Sequence, residues 1–152
     1  MGIERARRAA LRLLKFRPRS ESELKGRLLE KGFGEETLQP VVEELKRKGL
    51  LDDARFARYF VESQRLSRPV GKRLLVNRLR AKGIEPHLAS EAVDAGTQGQ
   101  DELELARQLA SKRMGVLEGI SREAAQRRLF GYLSRRGFSS DVVWRVVRES
   151  LR

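Results

Sequence analysis

The sequence predicts an all-α protein built as three tandem three-helix repeats in an elongated, curved helical array. Three observations predict it. A leucine ladder closing on a turn glycine occurs three times, as Leu24-x3-Leu28-x3-Gly32-Phe33, Leu75-x3-Leu79-x3-Gly83-Ile84 and Leu129-x3-Leu133-x3-Gly137-Phe138. Upstream, Ala6-Arg7, Ala57-Arg58 and Ala106-Arg107 stand 26, 26 and 31 residues before those glycines, so a five-residue insertion in the third copy is what breaks the register. Downstream, the apolar pairs Val41-Val42, Ala92-Val93 and Val146-Val147 follow nine and ten positions after each glycine. Self-similarity at a period of about fifty residues marks units that bury their apolar faces on one another. We place the three copies at residues 1–49, 50–97 and 98–152.

Each helix has its own warrant. Ala6, Ala9, Ala10, Leu13 and Leu14 share one face at the 3.6-residue period, and Pro18 ends that first helix. Ser20-Glu21-Ser22-Glu23 has the form of a capping box, in which the Ser20 hydroxyl and the Glu23 carboxylate satisfy opposite free amides of the second helix. Gly32 stops that helix in a left-handed cap. A third helix, from about Glu35 to Lys48, buries Leu38, Val41, Val42 and Leu45. In the second copy, Asp52 or Asp53 caps a helix bearing Phe56, Ala57, Phe60 and Val61, which breaks around Ser67-Arg68-Pro69. The Leu75 and Leu79 helix follows, Gly83 turns the chain, and Pro86 suits the first turn of the next helix. Gly96 and Gly99 separate the third copy, where Asp101 aligns with Asp52. Its stripes are Leu105, Ala106, Leu109 and Ala110, then Leu129 and Leu133, then Val142, Val143, Val146 and Val147. The extra residues fall near Gly115-Gly119, and Gly131-Tyr132 interrupts an otherwise helical stretch. No β alternation is evident.

Composition narrows the function. The 152 residues carry a net charge of +12, and 36% of them are charged. Such a chain suits a polyanion or an acidic protein face, because its summed field raises affinity and encounter rate. There is no cysteine, which excludes disulfides, thiolate metal sites and cysteine nucleophiles. A lone His87 offers neither a metal set nor a catalytic pair, Gly71-Lys72-Arg73 lacks the spacing of a phosphate-gripping loop, and Asp52-Asp53 read as caps before they read as a metal site. We expect no cofactor and no catalysis. The first seven residues lack the apolar run of a signal peptide, no stretch approaches a membrane span, and the expected location is cytoplasmic.

The candidate working surface is a set of basic ridges. Arg5, Arg8, Arg12 and Lys15 recur at helical spacing across from the apolar stripe of the first helix, and Arg17 and Arg19 extend the row. Arg73, Asn77 and Arg80 lie opposite Leu75 and Leu79, with Lys72 at the helix start. The last helix offers Arg145, Arg148 and Arg152. Of the 33 basic residues 25 are arginine, whose fork holds phosphate or carboxylate through two parallel hydrogen bonds. The net charges of residues 1–50, 51–100 and 101–152 are +5, +3 and +4, which favours a distributed track over a single DNA-reading head. A competing reading is that exposed helix faces are ordinarily charged. Phe33, Phe56, Phe60 and Phe138 read as core, while Tyr59, Tyr132 and Trp144 have polar handles that could meet bases or a protein pocket.

Taken in order, Arg17-x2-Ser20-x2-Glu23-Leu24-x3-Leu28-x3-Gly32, then Leu45-x3-Gly49-Leu50-Leu51-Asp52-Asp53-x2-Phe56-Ala57-x2-Phe60-Val61, then Gly71-x7-Leu79-x2-Lys82-Gly83-Ile84 resemble the RecX family of bacterial recombination regulators. The likeness spans nearly the whole chain and is densest from Ala6 to Ala95. It implies a three-helix-repeat protein that binds the RecA recombinase, lodges along the groove of its filament on DNA, and restrains ATPase and strand exchange. Its partners would be the RecA filament and single-stranded DNA, with double-stranded DNA as a further one, and it would act as a monomer. A general DNA-binding helical repeat protein, such as a nucleoid or transcription factor, is the alternative, and a scaffold joining proteins is a third.

Overall fold

Helical periodicity, capping side chains and turn glycines produce the elements where the sequence puts them. The computed structural model describes residues 2–67 and 69–151. Among these are nine α-helices: α1 (Gly2–Phe16), α2 (Glu21–Glu30), α3 (Glu35–Arg47), α4 (Asp53–Ser67), α5 (Lys72–Ala81), α6 (Pro86–Gly96), α7 (Glu102–Arg113), α8 (Arg122–Arg135) and α9 (Ser140–Ser150). They form three-helix repeats, and no strand occurs among the described residues. The predicted insertion is a 3₁₀ turn, Met114–Leu117, that sends Leu117 into the core. No described helix is long and apolar enough to cross a membrane.

The ladder helices α2, α5 and α8 end alike. Phe33 N–H donates back to the Leu28 carbonyl, Ile84 to Leu79 and Phe138 to Leu133, the bond that closes a helix over a left-handed residue. Gly32, Gly83 and Gly137 hold that residue, with φ of 99, 87 and 94°. N-caps follow the sequence with one correction, at the capping box, and one choice settled, at α4. Ser20 does accept from Glu23 N–H at 3.0 Å, but the Glu23 carboxylate turns to Arg17 and does not complete the box. Asp52 caps α4 through Ala54 and Arg55, which frees Asp53 for a different task.

Packing divides the chain into two compact units, Met1–Phe60 with Arg78–Ala92 and Val61–Asn77 with Val93–Arg152. In the first, Ala6, Ala9 and Ala10 of α1 meet Leu24 and Leu28 of α2 and Leu38, Val41, Val42 and Leu45 of α3. Small alanines let α1 lie close, and each buried leucine contributes about 1.5–3 kcal/mol. The second unit repeats the scheme with Ala106, Leu109, Ala110, Leu129, Leu133, Phe138, Val143, Val146 and Val147.

Outside these cores, the first and third bundles each have an ion pair tying their first helix to their third. Arg7 Nε and Nη2 donate to Glu44 at 2.7 and 3.0 Å, and Arg107 Nε and Nη2 to Glu149 at 2.8 and 3.0 Å. The two pairs are the same device, because each arginine follows the aligned alanine and each glutamate stands two residues after the aligned valine pair. In the middle copy the aligned residues are Arg58 and Ala95, so the device is missing there. The Arg107 hydrogen bonds pull the Glu149 carboxyl down to about 2, and Arg7 likewise holds Glu44 below the usual range.

Copies meet through a second repeated arrangement. Within the first unit, Glu21 N–H at the start of α2 donates to Asp53 at 2.8 Å, and the Ser20 hydroxyl donates to the Lys82 carbonyl at 2.8 Å. Within the second unit, Lys72 N–H at the start of α5 donates to Glu102 at 2.7 Å, and Gly71 N–H donates to the Arg136 carbonyl at 2.6 Å. Asp53 aligns with Glu102, Ser20 with Gly71 and Lys82 with Arg136, so one junction is built twice. Burial pushes the Asp53 carboxyl above its ordinary value, against the pull of Glu21 N–H. The second junction is backbone against backbone: a Cβ on Gly71 would stand 2.3 Å from the Gly137 carbonyl oxygen.

Two outcomes follow. Gly71→Ala should lower stability by about 1–3 kcal/mol in urea unfolding, through overpacking. Gly26→Ala, inside α2 with open space around it, should raise it by about 0.5–1 kcal/mol. As for pH, a carboxylate whose folded pKa is depressed contributes stability above its unfolded value and loses it as pH falls through the folded one. Urea stability should therefore decline as pH drops from about 4.5 to about 2, and Glu149→Gln should make that decline shallower while costing stability at neutral pH. Equal slopes for the two proteins would contradict the clamp.

Candidate nucleic-acid interface

Helical spacing puts Arg5, Arg8 and Arg12 on one side of α1, and the left-handed turn at Gly32 brings Lys31 and Phe33 up beside them. Together with Ala9 these residues line an open cleft of about 390 Å³. Arg5, Arg12, Lys15 and Lys31 have no acidic partner among the described residues, and Arg8 approaches Glu4 only at 4.0 Å. Phe33 is half-buried, packing against the core while lining the cleft. Four cations around an uncharged floor can each give hydrogen bonds to a phosphate or carboxylate without first breaking a strong internal pair.

The extension of this row is corrected by the structure. Arg17 makes a bidentate pair with Glu23, at 3.1 and 2.6 Å, and also donates to the Pro18 carbonyl. The hydrogen bonds to Glu23 raise its pKa. Arg19 has only 12% of its side chain exposed, donates to the Leu13 carbonyl, and is lowered by burial. Burial opposes charge on Glu23, yet Arg17 keeps its carboxyl below the usual value. Both arginines brace the corner between α1 and α2, because the chain break at Pro18 turns them inward.

The other ridges are less uniform than their spacing. On α5, Arg73, Asn77 and Arg80 are exposed and Lys72 is half-buried. Arg73 donates to the Ser134 carbonyl at 3.2 Å, whereas Arg80 has no acidic partner among the described residues. On α9, Arg145 pairs with Glu149 at 3.5 Å and Arg148 is exposed, while Arg152 lies outside the described residues. Among the aromatic candidates, Trp144 is 48% exposed with its ring against Phe130 at 4.6 Å, and Tyr132 lies under the Arg113 guanidinium at 4.6 Å. His87 is exposed and pairs with Glu91. Sequence reasoning missed Lys31, although a signal was present: Lys31, Lys82 and Arg136 precede all three turn glycines.

Comparison with known proteins gives a consistent family. Residues 6–45, 52–93 and 100–147 match the models of the first, second and third three-helix domains of RecX. The chain is 34% identical to the regulatory protein RecX of Amycolatopsis mediterranei, covering 98% of this chain and 85% of that one. It is 36% identical to the regulatory protein RecX of Thermobifida fusca, covering 97% and 79%. The crystal structure of RecX from Lactobacillus salivarius shares the fold, with a TM-score of 0.82 at 22% identity over 98% of this chain and 96% of that one.

The α1 arginines therefore separate into open and committed ones, and the two kinds should respond differently. Arg17→Ala should cost about 1 kcal/mol of stability and leave the affinity for a polyanion such as heparin nearly unchanged. Arg12→Ala should do the reverse, with unchanged unfolding and earlier elution from a heparin column.

Proposed function

Because the chain belongs to the RecX family of regulatory proteins, we propose that it is a non-enzymatic modulator of homologous recombination and DNA repair that binds the RecA–DNA filament and restrains RecA ATPase and strand exchange. The observation that carries the reading on this chain is the open cleft of Arg5, Arg8, Arg12 and Lys31, whose cations have no strong internal partner. A filament on DNA presents phosphates and carboxylates along its length. Three copies, at 1–49, 50–97 and 98–152, would meet it at several points.

Restraint has one physical route. The protein must bind a blocked or disassembling filament more tightly than the active one, since a ligand shifts an equilibrium only by its differential affinity. Bridging neighbouring protomers or filling the groove that the DNA partner uses would both supply that difference. Direct contact with single-stranded DNA, and with duplex, would add an electrostatic share. We take the acting form to be a cytoplasmic monomer. Reading of duplex sequence by a recognition helix is disfavoured, because α3 carries Glu35, Glu36, Glu43 and Glu44, and Glu44 is already held by Arg7. Acidic residues there would repel phosphate.

RecA ATPase on single-stranded DNA, titrated with this protein at two salt concentrations, tests the proposal. Recombinase is either assembled first or added last. The expected result is inhibition of assembled filaments at amounts near or below the recombinase. Inhibition that requires enough protein to coat free DNA would favour the general DNA-binding alternative. The triple variant Arg5→Glu, Arg8→Glu, Arg12→Glu should weaken inhibition at least tenfold and reduce the salt slope of single-strand binding by about 2, at roughly 0.7 per lost phosphate contact. An unchanged slope and potency would make that ridge merely a solvated face.

A further inference from the structure

The third bundle holds a second basic cleft, which the ridge pattern does not contain. Arg113 at the end of α7, Arg127, Arg128 and Arg135 of α8, and Val116 and Leu117 of the 3₁₀ turn line an opening of about 360 Å³. All four arginines are exposed, and no acidic side chain lines the opening. None of the four forms an ion pair among the described residues. Partners were within reach of the sequence: Glu123 stands four residues before Arg127, a spacing that suits a helical pair, yet no such pair forms. Elsewhere in the same bundle arginines are neutralised, Arg107 by Glu149 and Glu104 and Arg145 by Glu149.

The insertion in the third copy makes this opening. Leu117 anchors the 3₁₀ turn in the core, which leaves Val116 61% exposed at the lip and sets the turn opposite α8. Arg113 is steadied by the face of Tyr132 beneath it, which orients a guanidinium without consuming its hydrogen-bond donors. Arg128 and Arg135 lie two helical turns apart, about 10 Å along α8. That separation exceeds the reach of one phosphate and fits a chain of them.

We propose that this cleft, built by the insertion, is a site for the sugar–phosphate backbone of nucleic acid, gripped by Arg113, Arg127, Arg128 and Arg135. The proposal rests on the reading that the protein engages nucleic acid, and it adds a contact in the third copy independent of the α1 ridge.

The test uses the free 152-residue protein with no recombinase present, titrated against fluorescently labelled single-stranded and duplex oligonucleotides over a range of salt. Arg127→Gln with Arg128→Gln should weaken binding by about tenfold. Its salt slope should fall by about 1.4 on single strands or about 1.8 on duplex, and the form whose slope falls by its own full amount is the one that occupies the cleft. Val116→Glu, which sets a carboxylate on the lip and leaves every arginine in place, should weaken the same binding. Far-UV circular dichroism and melting should be unchanged in both, since all three positions are exposed. Unchanged affinity and slope on both oligonucleotides would overturn the proposal, as would loss of recombinase inhibition with DNA binding intact, because the cleft would then serve an acidic protein surface. The filament reading fails separately, on the ATPase titration of the unaltered protein.

Discussion

At each place where one copy meets the next, the first amide of a ladder helix gives its hydrogen to a carboxylate from the opening turn of the following copy. Glu21 donates to Asp53 and Lys72 to Glu102. Packing another element over a helix start would strand amide groups that the helix cannot satisfy, and such groups are costly when buried. A carboxylate answers both the unmet donor and the positive end of the helix dipole. Residue 20 or 71 then completes the joint against the carbonyl before the next turn glycine, by a serine hydroxyl in one case and a bare backbone amide in the other. Gly71 has no side chain to offer, so the backbones approach more closely there, and the close approach itself demands that residue.

That arrangement decides which charges are available outward. Several aspartates and glutamates are committed at joints, caps and clamps: Asp52 and Asp101 cap helices, Asp53 and Glu102 close joints, and Glu44 and Glu149 clamp bundles. Arginine exceeds these needs. Part of the surplus gathers in clefts that no acidic side chain lines, beside α1 and beside the 3₁₀ turn. The net charge of +12 is thus a set of local openings more than a uniform coat.

Much of this was legible in the sequence because repetition converts weak signals into strong ones. One leucine ladder before a glycine is common, whereas three in register fix helices, turns and core, down to Val41, Val42, Val146 and Val147. The surface was less legible. Helical spacing identified Arg5, Arg8 and Arg12 but could not show that Pro18 folds Arg17 and Arg19 back onto Glu23 and the Leu13 carbonyl. Nor could it show that Lys31 crosses from another helix, or that Arg113 meets Arg127, Arg128 and Arg135 across an insertion. Those are tertiary juxtapositions with no period to betray them. The capping box was half right for a similar reason, since Arg17 outbids the Ser20 amide for the Glu23 carboxylate.

The three turn glycines look interchangeable in the sequence but answer to different constraints. Gly32 has nothing within 4 Å of where a side chain would begin, so its backbone angle alone disfavours other residues. Gly83 and Gly137 would drive a first carbon to 2.4 Å from Ser22 and Leu74, and no residue larger than glycine fits. Replacement of the turn glycine should accordingly carry a backbone penalty alone at the first turn, and a backbone penalty together with a steric clash at the other two.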